Sequence, residues 1–425
     1  MEKNVRISPS FLKGQVQIPL SKSFLHRALI CAALAGDMSL VDLGTDTLSE
    51  DISATRACLE ILFSNEKEKS FDCGESGSTL RFLIPITGAM GVTSLFHGKG
   101  RLPERPLNEY KRILEEKGME LFSSEDGKYL PLRTKGQLLS GTFSIPGNVS
   151  SQYITGLLFS LPILDKDSEI ILTSPLESEA YVDITISVLR DFSIQIEKIK
   201  NGYFIRGGQK YQRKEAYVSE ADFSQAAFWL VLQYLGHEIK IENLPRISVQ
   251  GDQKILEILA AFSSRREGAP IFASETVRMV KENGVEIVEV NVSQIPDLAP
   301  VLSVAAAATP GITRFTQASR LRIKECDRLS ASCEMLRVLG IKAEEKEDSF
   351  TIYGKLVTAK NKGFSGGTIR KYNDHRMVMS GAVAAACAEG EIIIEDPDAI
   401  FKSYPMFFRD FQCVGGNING FDLGK

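Results

Sequence analysis

The sequence predicts an α/β fold of two domains, each built from three copies of one strand-and-helix unit. Three observations predict it. Wholly apolar helical segments begin near Ser21, Gly77, Ser150, Asp222, Asp297 and Asp374, with spacings of 56, 73, 72, 75 and 77 residues. Between and after them come amphipathic helices at roughly 50–63, 106–118, 181–191, 251–262, 327–339 and 404–412. Short alternating segments such as 141–145, 286–292 and 391–395 fill the gaps as strands. Six such units in 425 residues are too many for one core, which puts three in each of two domains.

The first apolar segments run on to Gly36, Gly91, Pro162, Gly236 and Gly311, and the last ends at Gly390. They are apolar nearly all round, so each is expected to be buried on every side. The amphipathic segments carry ordinary stop and start signals. In 106–118, Pro106 is expected at the first helical position and Gly118 just past the end. Asp327 is expected to cap a helix that stops at Gly340. If the buried helices of a domain run parallel, their N-termini meet on one face. That face carries partial positive charge and free N–H groups. Two such faces opposed across a hinge would form an interdomain cleft suited to polyanions.

Composition narrows the function. With 43% hydrophobic and 24% charged residues the chain is ordinary for a globular protein. A net charge of −4 gives no basic field for nucleic acid or an anionic membrane, so any anion must be held by local clusters of cations. The seven cysteines are scattered, Cys326 and Cys333 being the closest pair, which points to reduced thiols and a cytoplasmic address. The N-terminal MEKNVRISPSFLKG has no apolar signal core. The apolar stretches near 154–164 and 298–308 are too short to span a bilayer. The four histidines, at 26, 97, 237 and 375, show no metal-ligand spacing, so neither metal nor cofactor is expected.

The polar residues at the helix mouths carry the chemistry. In 321–328, LRIKECDR, Lys324, Glu325 and Arg328 precede an amphipathic helix. Alone, that run reads as a solvated helix entry. A second run, YNDHRM at 372–377, stands before a wholly apolar helix and cannot be a wet surface face. The same position recurs along the chain. Lys22 and Ser23 lie in the first turn of PLSKSFLHR, with Arg27 one turn later, while His26 reads as packing or a local hydrogen bond. DCGESGSTLR, 72–81, is a glycine-containing turn into a helix, short of a full phosphate loop, where Gly74 and Gly77 would let backbone N–H groups approach an anion. Arg105 precedes a helix, NVSSQY supplies Ser150, Ser151 and Gln152, and Ser178 and Tyr181 open another helix. Asp297 enters an apolar helix; facing cations it would stay ionised and could act as a base. Lys402 precedes the last helix.

Through SKSFLHR, RPL at Arg105, VSSQ, IPD, KECDR and YNDHRM, in that order from Lys22 to Lys402, the chain resembles the 5-enolpyruvylshikimate-3-phosphate synthases. The resemblance implies two domains of three βαβαββ units, 20–219 and 1–19 plus 220–425. It implies transfer of an enolpyruvyl group from phosphoenolpyruvate to the 5-hydroxyl of shikimate 3-phosphate, with release of phosphate and no metal. By the same resemblance Lys22, Arg105 and Lys402, with the backbone near Gly77 and Ser78, contact the phosphoenolpyruvate phosphate. Arg328 and Arg376 hold its carboxylate as forked donors. Ser23 and Arg27 contact the shikimate ring and its carboxylate. Ser150, Ser151, Ser178 and Lys324 contact the 3-phosphate, and Gln152 and Tyr181 lie beside the ring. Glu325 matches the acid at C3, Asp297 the base at the 5-hydroxyl, and Lys22 a proton donor to the leaving phosphate. The family is the target of glyphosate.

Two positions depart from the family pattern. Arg320 stands where many members have Asn, and Glu75 stands where many have Asn in the glycine turn. A carboxylate there must point away from the donor or pair with a cation such as Arg81. A monomer without nucleic-acid or membrane partners is expected. The rival readings are enolpyruvyl transfer to a uridine-diphosphate amino sugar and a non-catalytic polyanion binder on the same fold. Retention of both carboxylates argues against the binder.

Overall fold

The computed structural model describes residues 4–44, 47–66, 68–123 and 127–421. The chain divides into two compact units, Leu20–Glu220 (the first unit) and Met1–Pro19 with Ala221–Lys425 (the second). Each has its own hydrophobic core.

The first unit contains α1 (Lys22–Leu34), α2 (Glu50–Leu62), α3 (Gly77–Ala89), α4 (Asn108–Glu115), α5 (Ser151–Ser160) and α6 (Glu179–Asp191). α1, α3 and α5 are the buried helices, rich in Ala, Leu and Ile; α2, α4 and α6 bury one face each. One four-stranded sheet runs Lys69–Asp72, Ser94–His97, Leu132–Gly136, Met119–Ser123. Its first two strands are parallel and the others antiparallel. A second sheet, Thr142–Ile145, Ser168–Leu172, Gly202–Ile205, Ile196–Ile199, repeats that order. A third is a parallel pair, Val41–Asp42 with Tyr217–Val218.

The second unit repeats the plan with α7 (Phe223–Tyr234), α8 (Ile255–Glu267), α9 (Ala299–Ala307), α10 (Arg328–Val338), α11 (His375–Ala386) and α12 (Phe407–Cys413). Here α7, α9 and α11 are the buried helices. Its five-stranded sheet has the parallel pair Val285–Asn291 and Gly311–Thr316 followed by the hairpin Ser349–Gly354 and Lys342–Glu345, with Val277–Glu282 added at the edge. The next sheet runs Gly367–Ile369, Ile392–Glu395, Asn4–Ser8, Asn417–Asn419, so a strand from the start of the chain sits among strands from its end. Lys13–Val16 pairs in parallel with Glu238–Ile241. The parallel pair is thus common to all six sheets among the described residues, as the repeat demands.

Side-chain caps set the mouths of α3, α5, α7 and α11. Ser76 accepts from the Thr79 N–H, Ser150 from Gln152, Asp222 from Ser224 and Gln225, and Asp374 from Arg376. Asp327 caps α10 by accepting from Ser330 N–H, as the sequence predicts.

Several starts differ from expectation. α8 begins at Ile255 and not at 251, because Gly251–Lys254 forms a 3-10 turn, and α12 begins at Phe407 and not at 404. α4 begins at Asn108, leaving Pro106 outside, because its carbonyl accepts from Arg81 Nη2 and Tyr153 Oη and is held away from the helix. α9 begins at Ala299, two residues after Asp297, whose carbonyl and carboxylate are taken by Arg376.

Pro85 lies inside α3 and has no N–H for the Arg81 carbonyl one turn back. Tyr110 Oη lies 2.9 Å from that carbonyl instead and 2.8 Å from Tyr153 O, its single hydrogen shared between the two. A β-carbon on Gly156 of α5 would stand 2.5 Å from the same Arg81 carbonyl, so glycine there is what lets α5 approach α3. No helix among the described residues is long and apolar enough to cross a membrane.

Candidate active site

In the second unit, five residues singled out by sequence form one bonded cluster. Arg328, only 1% exposed, donates from Nη1 to Asp297 Oδ1 (2.7 Å) and from Nη2 to Glu325 Oε2 (2.6 Å). Arg376 donates from Nη2 to Asp297 Oδ2 and from Nη1 to the Asp297 carbonyl, both at 3.0 Å. Lys324 Nζ lies 3.5 Å from Asp297 Oδ1. Arg376 Nη2 also reaches Ser224 Oγ at 3.1 Å. Ser224 opens α7, Asp297 precedes α9 and Arg376 opens α11, so the N-termini of three buried helices meet at one guanidinium.

Sequence reasoning missed Asp374. Fully buried at the cap of α11, it accepts Arg328 Nε at 2.7 Å and the Arg376 N–H at 2.9 Å. Arg328 is therefore bonded to three carboxylates, and burial, which opposes its charge, is outweighed by Asp374, Glu325 and Asp297. Burial likewise would push the Asp297 carboxyl up, but Arg376, Lys324 and Arg328 together hold it well below the usual carboxylate range. Burial pushes Lys324 down to about 8, against the pull of Asp297. Lys402 Nζ donates to Asn373 O (2.7 Å) and Oδ1 (2.8 Å). Asn373 has φ 55°, a left-handed backbone that turns both oxygens toward one lysine.

In the first unit, Lys22 Nζ pairs with Asp51 Oδ2 at 2.7 Å. The mouths of α3 and α5 are joined: Gln152 Nε2 donates to Ser78 Oγ, and Arg81 Nη1 to Gln152 Oε1, each at 3.0 Å. A β-carbon on Gly77 would stand 2.7 Å from Arg81 Nη1 and 2.8 Å from Arg105 Nη1, so both guanidiniums lie against this glycine. Ser150 caps α5 and Ser151 is buried in its first turn. Ser178, 1% exposed, opens α6 with φ 56°, a strained conformation of the kind found at binding sites. Arg27 is buried and donates to Ser23 O (2.7 Å), Tyr181 O (2.9 Å) and Thr185 Oγ1 (2.8 Å), which brings Ser23, Arg27 and Tyr181 together. Arg81 donates to Gln152 Oε1 and to Pro106 O. The Glu75 carboxylate packs against Gly100, where a β-carbon would overlap it.

Of the residues sequence reasoning passed over, Asn373, Asp374 and Arg81 lay within runs it had quoted. Asp51 and Ser224 carried no local signal, because their partners are 29 and 152 residues away. Among the described residues no group of His, Cys, Asp and Glu side chains could hold a metal ion.

The EPSP synthase (3-phosphoshikimate 1-carboxyvinyltransferase) family model matches residues 40–411. The chain belongs to the EPSP synthase family. A 3-phosphoshikimate 1-carboxyvinyltransferase of Clostridium acetobutylicum is 40% identical, with 99% of each chain covered. One of Clostridium kluyveri is 41% identical, with 100% of each covered. Lys22, Ser23 and Arg27 lie ahead of the family match but within these full-length alignments. The EPSP synthase of Acinetobacter baumannii superposes with a TM-score of 0.74 at 23% identity, covering 98% of this chain and 100% of that one, which shows the shared fold.

Proposed function

We propose that the chain transfers the enolpyruvyl group of phosphoenolpyruvate to the 5-hydroxyl of shikimate 3-phosphate and releases phosphate. Family membership gives the reaction. The observation that carries the assignment of roles is the cluster of Asp297 and Glu325 on one buried guanidinium, Arg328, beside Lys324 and Arg376. A pure anion binder gains nothing from two carboxylates there, since each cancels a cation.

The vinyl C2 of phosphoenolpyruvate is a poor electrophile until C3 takes a proton. Glu325 supplies that proton. The 5-hydroxyl oxygen then bonds to C2 while its proton passes to Asp297, which the surrounding cations keep ionised and ready to accept it. The tetrahedral intermediate loses phosphate as the C–O bond breaks, Lys22 protonating the departing oxygen. C3 returns its proton to Glu325 and the double bond reforms. Each proton transfer is worth about 10²–10⁴ in rate.

Phosphoenolpyruvate is bound by Lys22, Gly77, Ser78, Arg105 and Lys402 at its phosphate and by Arg328 and Arg376 at its carboxylate, with Gln152 a further contact. Shikimate 3-phosphate is bound by Lys22, Ser23, Arg27, Ser150, Ser151, Gln152, Ser178, Tyr181, Asp297 and Lys324. The left-handed Ser178 and the joined mouths of α3 and α5 support this reading. Phosphate release from phosphoenolpyruvate should require shikimate 3-phosphate. No release with it, or release with a uridine-diphosphate amino sugar in its place, would overturn the proposal.

A further inference from the structure

A buried polar chain crosses the first three helices of the first unit. His26 Nδ1 lies 2.7 Å from Thr55 Oγ1, Thr55 Oγ1 lies 2.6 Å from Thr79 Oγ1, and Thr79 Oγ1 donates to Ser76 Oγ at 2.7 Å. None of the four residues is more than 2% exposed. They come from α1, α2, α3 and the residue that caps α3. His26 Nε2 is buried and meets no partner among the described residues. A proton there would be an unmet donor, so the tautomer that fits carries it on Nδ1 and donates to Thr55. The chain then has one direction, each hydroxyl passing its hydrogen on toward Ser76. Burial, with Lys22 and Arg27 nearby, holds the imidazole well below its usual range, so it stays neutral.

Where the chain ends is informative. Ser76 Oγ also accepts the Thr79 N–H at 3.2 Å, which makes it the cap that orients the first turn of α3. The N–H groups of Gly77 and Ser78 belong to that turn and lie outside the helix's own hydrogen-bond ladder. A second rung joins α1 and α2 one turn earlier: Lys22 pairs with Asp51, whose carbonyl lies 3.2 Å from Thr55 Oγ1, a longer alternative for that hydroxyl's single hydrogen than Thr79 at 2.6 Å. Residues 22 and 26 thus face 51 and 55 at matching helical spacing. Packing alone would be served by apolar side chains here, since buried polar groups cost free energy unless each is satisfied.

We infer that His26, Thr55 and Thr79 are positioning residues for the donor phosphate: their chain fixes the Ser76 cap, and with it the Gly77 and Ser78 N–H groups, in register with Lys22. The inference rests on the proposed assignment of Lys22, Gly77 and Ser78 to phosphoenolpyruvate.

Thr55→Val keeps the shape of the side chain and removes the hydroxyl. Steady-state kinetics should show the KM for phosphoenolpyruvate rising about fivefold, with the KM for shikimate 3-phosphate within about twofold of wild type. Thr55→Ser should restore the donor KM. An unchanged donor KM together with a lowered Tm would make the chain purely structural and overturn the inference. If Thr55→Val does not fold, Thr79→Val, at the next link, carries the same expectation and the same refutation. Gly77→Ala separates this from the underlying assignment. If it leaves the donor KM unchanged, Gly77 is not at the donor site; if it raises the donor KM while Thr55→Val does not, the inference alone falls.

Discussion

Replacing Gly77 by Ala adds one methyl at the mouth of α3. The backbone there is helical and accepts it, and the advantage of Ala over Gly in a helix, about 1 kcal/mol, offsets part of the packing cost worked out below, so any fall in Tm should be small. The methyl meets two guanidinium groups, with Arg81 Nη1 at 2.7 Å, Arg105 Nη1 at 2.8 Å and Arg105 Cζ at 3.1 Å. Ordinary contact needs about 3.5 Å, so each guanidinium must retreat by roughly 0.7 Å. Arg81 Nη1 holds Gln152 Oε1 at 3.0 Å. A bond of that kind stretched to about 3.6 Å is lost. Overpacking and the lost bond together come to about 1–3 kcal/mol, or roughly fivefold to a hundredfold in the KM for phosphoenolpyruvate. The assay is initial rate against phosphoenolpyruvate at saturating shikimate 3-phosphate, with Tm measured in parallel. Glyphosate, a slightly longer anion that competes for the donor site in this family, should lose more affinity than the substrate. A donor KM within about twofold of wild type would refute the reasoning, because the two guanidiniums could then move without cost to the donor.

Asp297→Asn and Glu325→Gln should each lower kcat by about 10²–10⁴ while calorimetry still shows shikimate 3-phosphate binding; near-normal turnover in either would reassign its role. Asp297→Ala should in addition destabilise the fold by about 3–5 kcal/mol in urea unfolding, because Arg328 and Arg376 lose the carboxylate they share; an unchanged midpoint would mean that Arg328 and Arg376 do not depend on it. Lys324 titrates at about 8. On the proposed assignment its charged form holds the 3-phosphate, so the Kd for shikimate 3-phosphate should rise above that pH by up to about tenfold per unit, and Lys324→Gln should bind more weakly with a flat profile over the same range. Asn373→Ala should lower Tm through its left-handed backbone and raise the donor KM about fivefold through loss of the Oδ1 contact to Lys402, whereas Asn373→Gly should recover Tm but not KM.

The fold was legible because its signals are local. An all-round apolar texture marks a buried helix wherever it packs, and α3 begins at Gly77 and α7 one residue after Asp222, where the polar-to-apolar change in the sequence places them. The misplaced start of α4 has a long-range cause. Pro106 in the sequence is a good first helical residue, but its carbonyl is claimed by Arg81 and Tyr153, 25 and 47 residues away. Pro85, inside α3, is tolerated for a similar reason: Tyr110, 29 residues from Arg81, satisfies the carbonyl that the missing N–H leaves open.

The candidate site was legible by the same measure, in its charges and not in their partners. KECDR and YNDHRM display Lys324, Glu325, Arg328 and Arg376 as cations and acid at helix mouths, and the structure gathers them with Asp297. Nothing local shows that Arg328 also answers to Asp374, 46 residues on, or that Lys22 answers to Asp51. Those partners change the chemistry expected of each group. Arg328 is a planar donor already bonded to Asp297, Glu325 and Asp374, so a substrate carboxylate that binds it must compete with the two groups assigned to move protons. Donor binding and release of the acid and base from their shared guanidinium are then one event. Asp297 keeps Lys324 as a counter-charge through that event, and Arg328 is one basic partner of Glu325. Loss of that ion pair favours the protonated carboxyl, the form that must deliver the proton to C3. The guanidinium proposed to bind the donor would in this way favour the protonated form of the acid.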